Sequence, residues 1–415
     1  MGICQSNKIS HKRTIVINTN QYLNEKQKIN KNSQNSENII NLDNKNDSFR
    51  NNTQYTYIKE NYQNKNIRET INSEINKSEK INKEIPKGLI NLQLNCYMNS
   101  LLQCLYYIKD LRNYFIKNKD KFQNDQKVCK ALAITMYKLK NSEHENINPI
   151  EFKNIIGTKN SLFYGNKAGD SKDLFINLID SLLTELIIND GSQCSSNRSY
   201  NYSNKIEIFN QAKKEIDINC IINQLFIGYY EMEYKCPNYK NAYIYSFECT
   251  SFISFNLKNI YNYFNDQDLT IDLCFEYNYK IKRNSSFFCN ICKETHVNIA
   301  QEKIYRPPKI LAIVLDRGKG KVFRDKVKFN TELNLEKYID EKNYRYSSYY
   351  VLIGVITHSG DSSARGHYTA CCLTDLNDNN SYYYFSDEYK QQIDNNKLNK
   401  NEPYILFYQN VNYNI

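Results

Sequence analysis

The sequence predicts an α+β domain carried behind a long polar N-terminal segment. Three observations lead there. Residues from about 7 to 85 show no sustained apolar period, helical spacing marks the stretch after Cys96 and Asp170 to Leu186, and short β-like runs dominate from Ile222 onward. A chain of 415 residues has room for one large folded domain and a tail.

The first residues, MGICQS, fit the pattern for N-myristoylation at Gly2, with Ser6 in place and Cys4 as a second acylation point. Lys8, Lys12 and Arg13 come next. One acyl chain holds a membrane only marginally, so lipid, palmitate and basic residues act together. The expectation is a cytoplasmic protein associated with a membrane surface. The rest of the segment to residue 85 is rich in Asn, Lys, Gln, Ser and Glu. It carries too little apolar surface to offset ordering and reads as a disordered tether over 1–85, ending at Pro86.

Composition narrows the class. The net charge of +10 is dispersed, which argues against a nucleic-acid partner. No apolar run approaches the roughly 18 residues of a spanning helix, and no signal peptide is recognisable. The 13 cysteines are odd in number and irregularly spaced, as expected of reduced thiols in a cytosolic setting.

GLINLQLNCYMNSLLQCL (88–105) places Cys96 where a tight loop becomes a helix. Leu101, Leu105, Ile108, Leu111 and Phe115 recur at three- and four-residue steps, predicting one buried helical face. Free N–H groups and the positive dipole end at a helix start favour the thiolate, which is the nucleophile. Asn91 can present an amide donor where an oxyanion would develop. A small buried core cysteine is the competing reading. Further on, DSKDLFINLIDSLLTEL (170–186) is an amphipathic helix. Asp170 stands at its N-cap with Asp173 three residues on, for capping or for a basic ligand.

The β-like runs start with Ile222–Tyr234 and Tyr243–Leu257. Cys236 and the pair Cys289-x-x-Cys292 sit at turns, with His296 or Cys249 available to complete a tetrahedral zinc set. Tyr239 stands where a partner cysteine for Cys236 would fall, so a metal-free turn is the alternative. Strands are expected at Ile310–Leu315, Tyr349–Thr357, His367–Cys372, Tyr382–Phe385 and Tyr404–Tyr408.

Of five histidines, His11 lies in the tail and His144 in a charged stretch. His367, after Gly366 at a strand start, is the candidate general base for Cys96. His358 is the competitor, read as a surface turn residue at a strand end. The residue that orients His367 is Ser386 or Asp387, on opposite faces if the strand continues. Charge favours Asp387.

These segments closely resemble the ubiquitin-specific protease family of deubiquitinating cysteine proteases. The family's cysteine box, GLxNLGNTCYMNSxLQxL, is matched at 88–105, and its histidine box by YVLIGVITHSGDSSARGHYTA from Tyr350 to Ala370. AGDSKDLFINLID, PPKILAIVL and PYILFY are similar to further family segments, in family order across about 86–410. The resemblance implies a papain-like fold with a thumb near 86–220, β fingers near 221–300 and a palm over about 301–410. It implies ubiquitin and ubiquitinated proteins as partners and no cofactor for catalysis; the family's fingers often bind a structural zinc through two CxxC pairs, of which this chain keeps only Cys289 and Cys292. By the same resemblance, Cys96 is the nucleophile, His367 the base, Asn91 the oxyanion donor, and Asp170 with Asp173 faces the basic tail of ubiquitin. The third triad residue would be Ser386, where the family has Asp or Asn, with Asp387 beside it. Gln93-Leu94-Asn95 replaces the family's Gly-Asn-Thr, which costs strain if positive φ is needed there. Those two departures motivate the rival reading, a catalytically weakened, membrane-tethered ubiquitin-binding pseudo-protease.

Overall fold

The computed structural model describes residues 13–17 and 85–187 and, with gaps, 205–411. Apart from Ile85, these belong to a unit formed by Met1–Tyr22 and Pro86–Ile415; the other unit is Leu23–Ile85. The acylation sites Gly2 and Cys4 and nearly all of the expected tether lie outside the described residues. The exception is strand β1 (Arg13–Ile17), whose sequence RTIVI is rich in β-branched residues.

Short strand β2 (Gly88–Leu89) leads into α1 (Cys96–Tyr106), followed by α2 (Lys109–Lys117) and α3 (Lys127–Asn141). Strand β3 (Asn146–Ile147) pairs in parallel with β2, and α4 (Ile150–Lys159) and α5 (Ser171–Ile187) complete a helical layer. The single helix expected from Cys96 to Phe115 is two helices. The N–H of Ile108 takes the carbonyl of Leu105 three residues back, which tightens and ends α1. Nor does α1 bury one face only: all 11 of its residues are buried, Asn99, Ser100 and Gln103 included. A helix covered all round belongs at the centre of a domain. Each of Leu101, Leu102 and Leu105 contributes roughly 1.5–3 kcal/mol by burial.

Helix α6 (Ile221–Phe226) opens what was expected to be a strand, and β4 (Gly228–Lys235) begins only after it. Then come β5 (Tyr243–Thr250), β6 (Ile253–Asn256), α7 (Leu257–Tyr263), β7 (Leu269–Thr270), α8 (Ile271–Lys280), β8 (Arg283–Cys289) and β9 (Glu294–Arg306). A five-stranded sheet runs β1-β5-β4-β9-β8. Within 221–300, β6 belongs not to this sheet but to the second one.

That second sheet uses β10 (Ile310–Asp316), β12 (Glu332–Asn334), β13 (Tyr349–Ser362), β14 (Arg365–Leu373), β15 (Tyr382–Ser386), β16 (Tyr389–Ile393) and β17 (Pro403–Asn410). Its order is β16-β15-β14-β13-β17-β10-β6, with β12 on β13, while β11 (Val327–Lys328) pairs with β7. One large core joins the helices to this sheet. A separate aromatic core of Phe209, Tyr229, Phe247 and Tyr305 serves the five-stranded sheet.

Candidate active site and cysteine cluster

Cys96 is the first residue of α1 and is 8% exposed. The loop before it reverses through two left-handed residues, Gln93 at φ 72° and Leu94 at φ 54°. Both carry a β-carbon, so the strain expected from losing the glycine is present. Asn166 Nδ2 donates to Gln93 Oε1 at 2.6 Å, bracing the loop from outside. From inside, Leu92 N–H donates to Asn95 Oδ1 at 2.6 Å and Asn95 Nδ2 to Asn99 Oδ1 at 3.1 Å. Burial is the largest influence on the Cys96 thiol and pushes it up, as does the Asp387 charge. The backbone N–H groups of Tyr368, Tyr97 and Cys96 itself pull it down. The helix that Cys96 begins packs against β14, the strand of His367.

His367 stands near the start of β14, and its Nε2 is 2.8 Å from Ser386 Oγ. A ring donating through Nε2 presents Nδ1 as the acceptor a thiol proton needs. Among the described residues no hydrogen bond joins Cys96 directly to His367. Gly366 is required beside it: a Cβ there would lie 2.3 Å from His358 Nε2 and 2.7 Å from the Ser359 carbonyl. His358 is no surface residue. It is 3% exposed, within the long strand β13, with its ring 4.2 Å from that of Tyr368. His144 is exposed and His11 lies outside the described residues.

The two candidates behind the histidine separate by backbone geometry. Strand β15 ends at Ser386, and Asp387 turns away at φ 54°, so simple face alternation does not apply. Asp387 Oδ2 accepts from Asn91 Nδ2 at 2.7 Å and Oδ1 from Asn99 Nδ2 at 2.7 Å. Its carbonyl accepts from Leu89 N–H, and Glu388 Oε1 accepts from Asn91 N–H at 2.9 Å. Sequence reasoning missed Asn99 and Glu388. The available signal for Asn99 was a polar residue in the first turn of the helix that Cys96 begins.

Asp170 caps α5: its Oδ1 accepts from Lys172 N–H at 2.8 Å, and Tyr404 Oη donates to the same carboxylate. Asp173 sits in the first turn, and burial, then the Asp170 charge, raises its carboxyl.

The cysteine candidates gather elsewhere, at the ends of β4, β8 and β9. The ligand atoms of Cys236, Cys289, Cys292 and His296 all lie within 4.8 Å of one another. Cys236 Sγ is 3.8 Å from Cys292 Sγ, and Cys292 Sγ is 2.9 Å from His296 Nε2. Four tetrahedral donors at zinc–sulfur distance stand about 3.8 Å apart, so these side chains suit that ion. Cys249 is not among them; it lies in the aromatic core with Tyr229 and Phe247. Tyr239, where a fourth cysteine was wanting, is exposed, and the histidine on β9 stands in its stead.

A cysteine at a helix start, a histidine on the strand it touches and a hydroxyl behind that histidine define a thiol hydrolase of mixed α and β architecture. The ubiquitin carboxyl-terminal hydrolase family matches residues 87–408, and the chain belongs to that family. It is 24% identical over 354 residues to ubiquitin carboxyl-terminal hydrolase 8 of Saccharomyces cerevisiae, covering 77% of this chain and 70% of that protein. With ubiquitin carboxyl-terminal hydrolase 12 of the same yeast it shares 31% over 180 residues, 38% of this chain but 14% of that protein. Ubiquitin carboxyl-terminal hydrolase 4 of Arabidopsis thaliana is 24% identical over 357 residues, 78% and 93% of the two chains. The fold is similar to the solved structure of the SAGA Ubp8/Sgf11/Sus1/Sgf73 DUB module bound to ubiquitin aldehyde. There the TM-score is 0.61 at 20% identity, over 81% of this chain and 72% of that one.

Proposed function

We propose that this chain is a cysteine-type deubiquitinase that hydrolyses peptide and isopeptide bonds at the C-terminal glycine of ubiquitin. The observation that carries the reading is the hydrogen bond between His367 and Ser386, with His367 on β14, the strand packed against the helix that Cys96 begins. The Cys96 thiol yields its proton to His367, and the thiolate attacks the glycine carbonyl. Asn91 and backbone N–H groups stabilise the oxyanion. The C–N bond breaks, the amine leaves with the proton from His367, and a thioester remains. Water, deprotonated by His367, then releases the ubiquitin carboxylate and restores the thiol. Ser386 orients His367, and Asp387 holds the Asn91 side chain by its amide nitrogen. Asp170 and Asp173 receive the basic tail of ubiquitin on electrostatic grounds.

Cys236, Cys289, Cys292 and His296 hold a structural zinc that ties the strand ends of the five-stranded sheet together, and catalysis itself needs no cofactor. Acylation at Gly2 and Cys4 attaches the protein to a membrane from the cytoplasmic side. Among the described residues no helix is long and apolar enough to cross one.

A ubiquitin bearing a C-terminal electrophile tests the central reading. Covalent capture that is lost in Cys96→Ala is expected. Binding without capture would support the pseudo-protease instead. Zinc at one equivalent per chain, lost on Cys289→Ser, is expected by elemental analysis. An unchanged membrane fraction for Gly2→Ala would overturn the acylation reading.

A further inference from the structure

Asp170 needs only one partner to cap its helix, and it has two. The cap is complete with the Lys172 N–H, since the Asp170 carbonyl already accepts from Leu174 N–H at 2.9 Å as the first helical bond. Tyr404 adds a second restraint from β17, 234 positions away: its Oη lies 2.8 Å from Oδ1 and 2.7 Å from Oδ2. The phenol is 9% exposed, and burial followed by the Asp170 charge raises it well above the ordinary tyrosine range, so it remains a donor. A carboxylate has about four acceptor positions. The cap and the phenol leave acceptor capacity on a group that is only partly buried.

The restraint also reaches the catalytic strand. The Tyr404 ring lies 5.9 Å from Tyr368 and 6.2 Å from His358, and Tyr368 directly follows His367 on β14. One aromatic wall therefore joins a carboxylate on the helical layer to the strand that bears the histidine.

We propose that Tyr404 is a positioning residue for substrate affinity, fixing the Asp170 carboxylate in the one orientation that receives the cationic tail of ubiquitin. This rests on the tail-binding role proposed above for Asp170. A free aspartate can cap a helix in several carboxyl rotations, whereas the phenol spanning both oxygens selects one. The tail contact is remote from the scissile bond and equal in ground state and transition state, so its loss appears in KM.

Steady-state kinetics of the full chain on ubiquitin carrying a C-terminal fluorogenic amide test it. Tyr404→Phe removes one hydroxyl and keeps the ring. It is expected to raise KM roughly 10- to 100-fold, the worth of a hydrogen bond to a charged group, with kcat within about twofold. In an Asp170→Asn background the same change is expected to shift KM by less than about twofold, because both act through one carboxylate. Ubiquitin affinity of Cys96→Ala, with and without Tyr404→Phe, below both unfolding temperatures, should repeat the KM ratio without turnover. An unchanged KM in Tyr404→Phe, a loss confined to kcat, or additive effects in the double variant overturns the proposal. An Asp170→Asn variant with unaltered KM overturns the underlying tail-binding role as well. A raised KM there with none in Tyr404→Phe sinks the tyrosine alone.

Discussion

Asp387 accepts a 2.7 Å hydrogen bond from the side chain of Asn91, and so faces the nucleophile loop rather than the histidine. A carboxylate can only accept, so this contact forces the Asn91 amide to turn its nitrogen, not its oxygen, toward Asp387. Asn99, buried on α1, donates to the other oxygen. The acidic residue next to Ser386 thereby links the turn after β15 to the helix that starts at Cys96.

Two adjacent residues should then fail in different ways. Ser386→Ala removes the hydroxyl 2.8 Å from His367 Nε2 and lets the ring turn; a loss of about 10- to 100-fold in kcat is expected. Asp387→Ala frees the Asn91 side chain and leaves Asn99 only its longer bonds to the Leu89 and Ile90 carbonyls, and the loss of an aligned oxyanion donor costs about 10²–10³ in kcat. Neither should alter KM much. Turnover of a fluorogenic ubiquitin amide at saturation decides this, and rates equal to the parent for both would exclude both roles.

The left-handed pair before the nucleophile predicts a gain from glycine. Leu94 is 53% exposed at φ 54°, so its side chain offers little packing against the strain. Leu94→Gly should stabilise by about 1 kcal/mol, a rise in Tm of about 2–4 °C. Gln93→Gly should gain less, because it also gives up the hydrogen bond from Asn166. Calorimetry of the two variants settles the order; a drop in Tm for Leu94→Gly would mean the loop is not strained.

The long periodic and near-continuous apolar segments were legible in the sequence, and the places where chemistry is arranged were legible only in part. Phe175, Leu178 and Leu182 marked α5, and Ile310 to Leu315 marked a fully buried strand, because the burial pattern there matches the period of the backbone. The break between α1 and α2 was hidden because Ile108 and Leu111 keep helical spacing across it. Helix α8 was missed because IDLCFEYNYK is rich in β-favouring aromatics, and its Thr270 cap is one hydroxyl in a run of short strands. The choice between Ser386 and Asp387 turned on a single positive φ, which no side-chain pattern encodes. For the same reason His358 read as a surface residue: the strand carries on past it to Ser362.

The Cys96 thiol, raised by burial more than the backbone donors lower it, should ionise late in the free protein. A raised thiol pKa means that thiolate, and so alkylation by iodoacetamide, increases as pH climbs through and above 9. The measurement is the inactivation rate between about pH 6 and 10.5 in the absence of ubiquitin. A plateau already reached at about pH 7 would show a preformed ion pair with His367 instead.

Lys153 bears on stability. It lies on α4 at 5% exposure, and its Nζ has no hydrogen-bond partner among the described residues. Burial lowers its pKa from the ordinary 10.5, so the unfolded chain holds the proton more tightly than the folded one. Stability therefore carries a penalty at neutral pH that shrinks as pH rises through the folded value toward 10.5. Lys153→Met keeps the stem's volume and removes the charge, so it should stabilise by about 1–2 kcal/mol at pH 7. The gain over the parent should narrow at about pH 10, when both buried groups are neutral. Denaturant melts at the two pH values check this, and a destabilised methionine variant at neutral pH would mean that the ammonium has a partner after all.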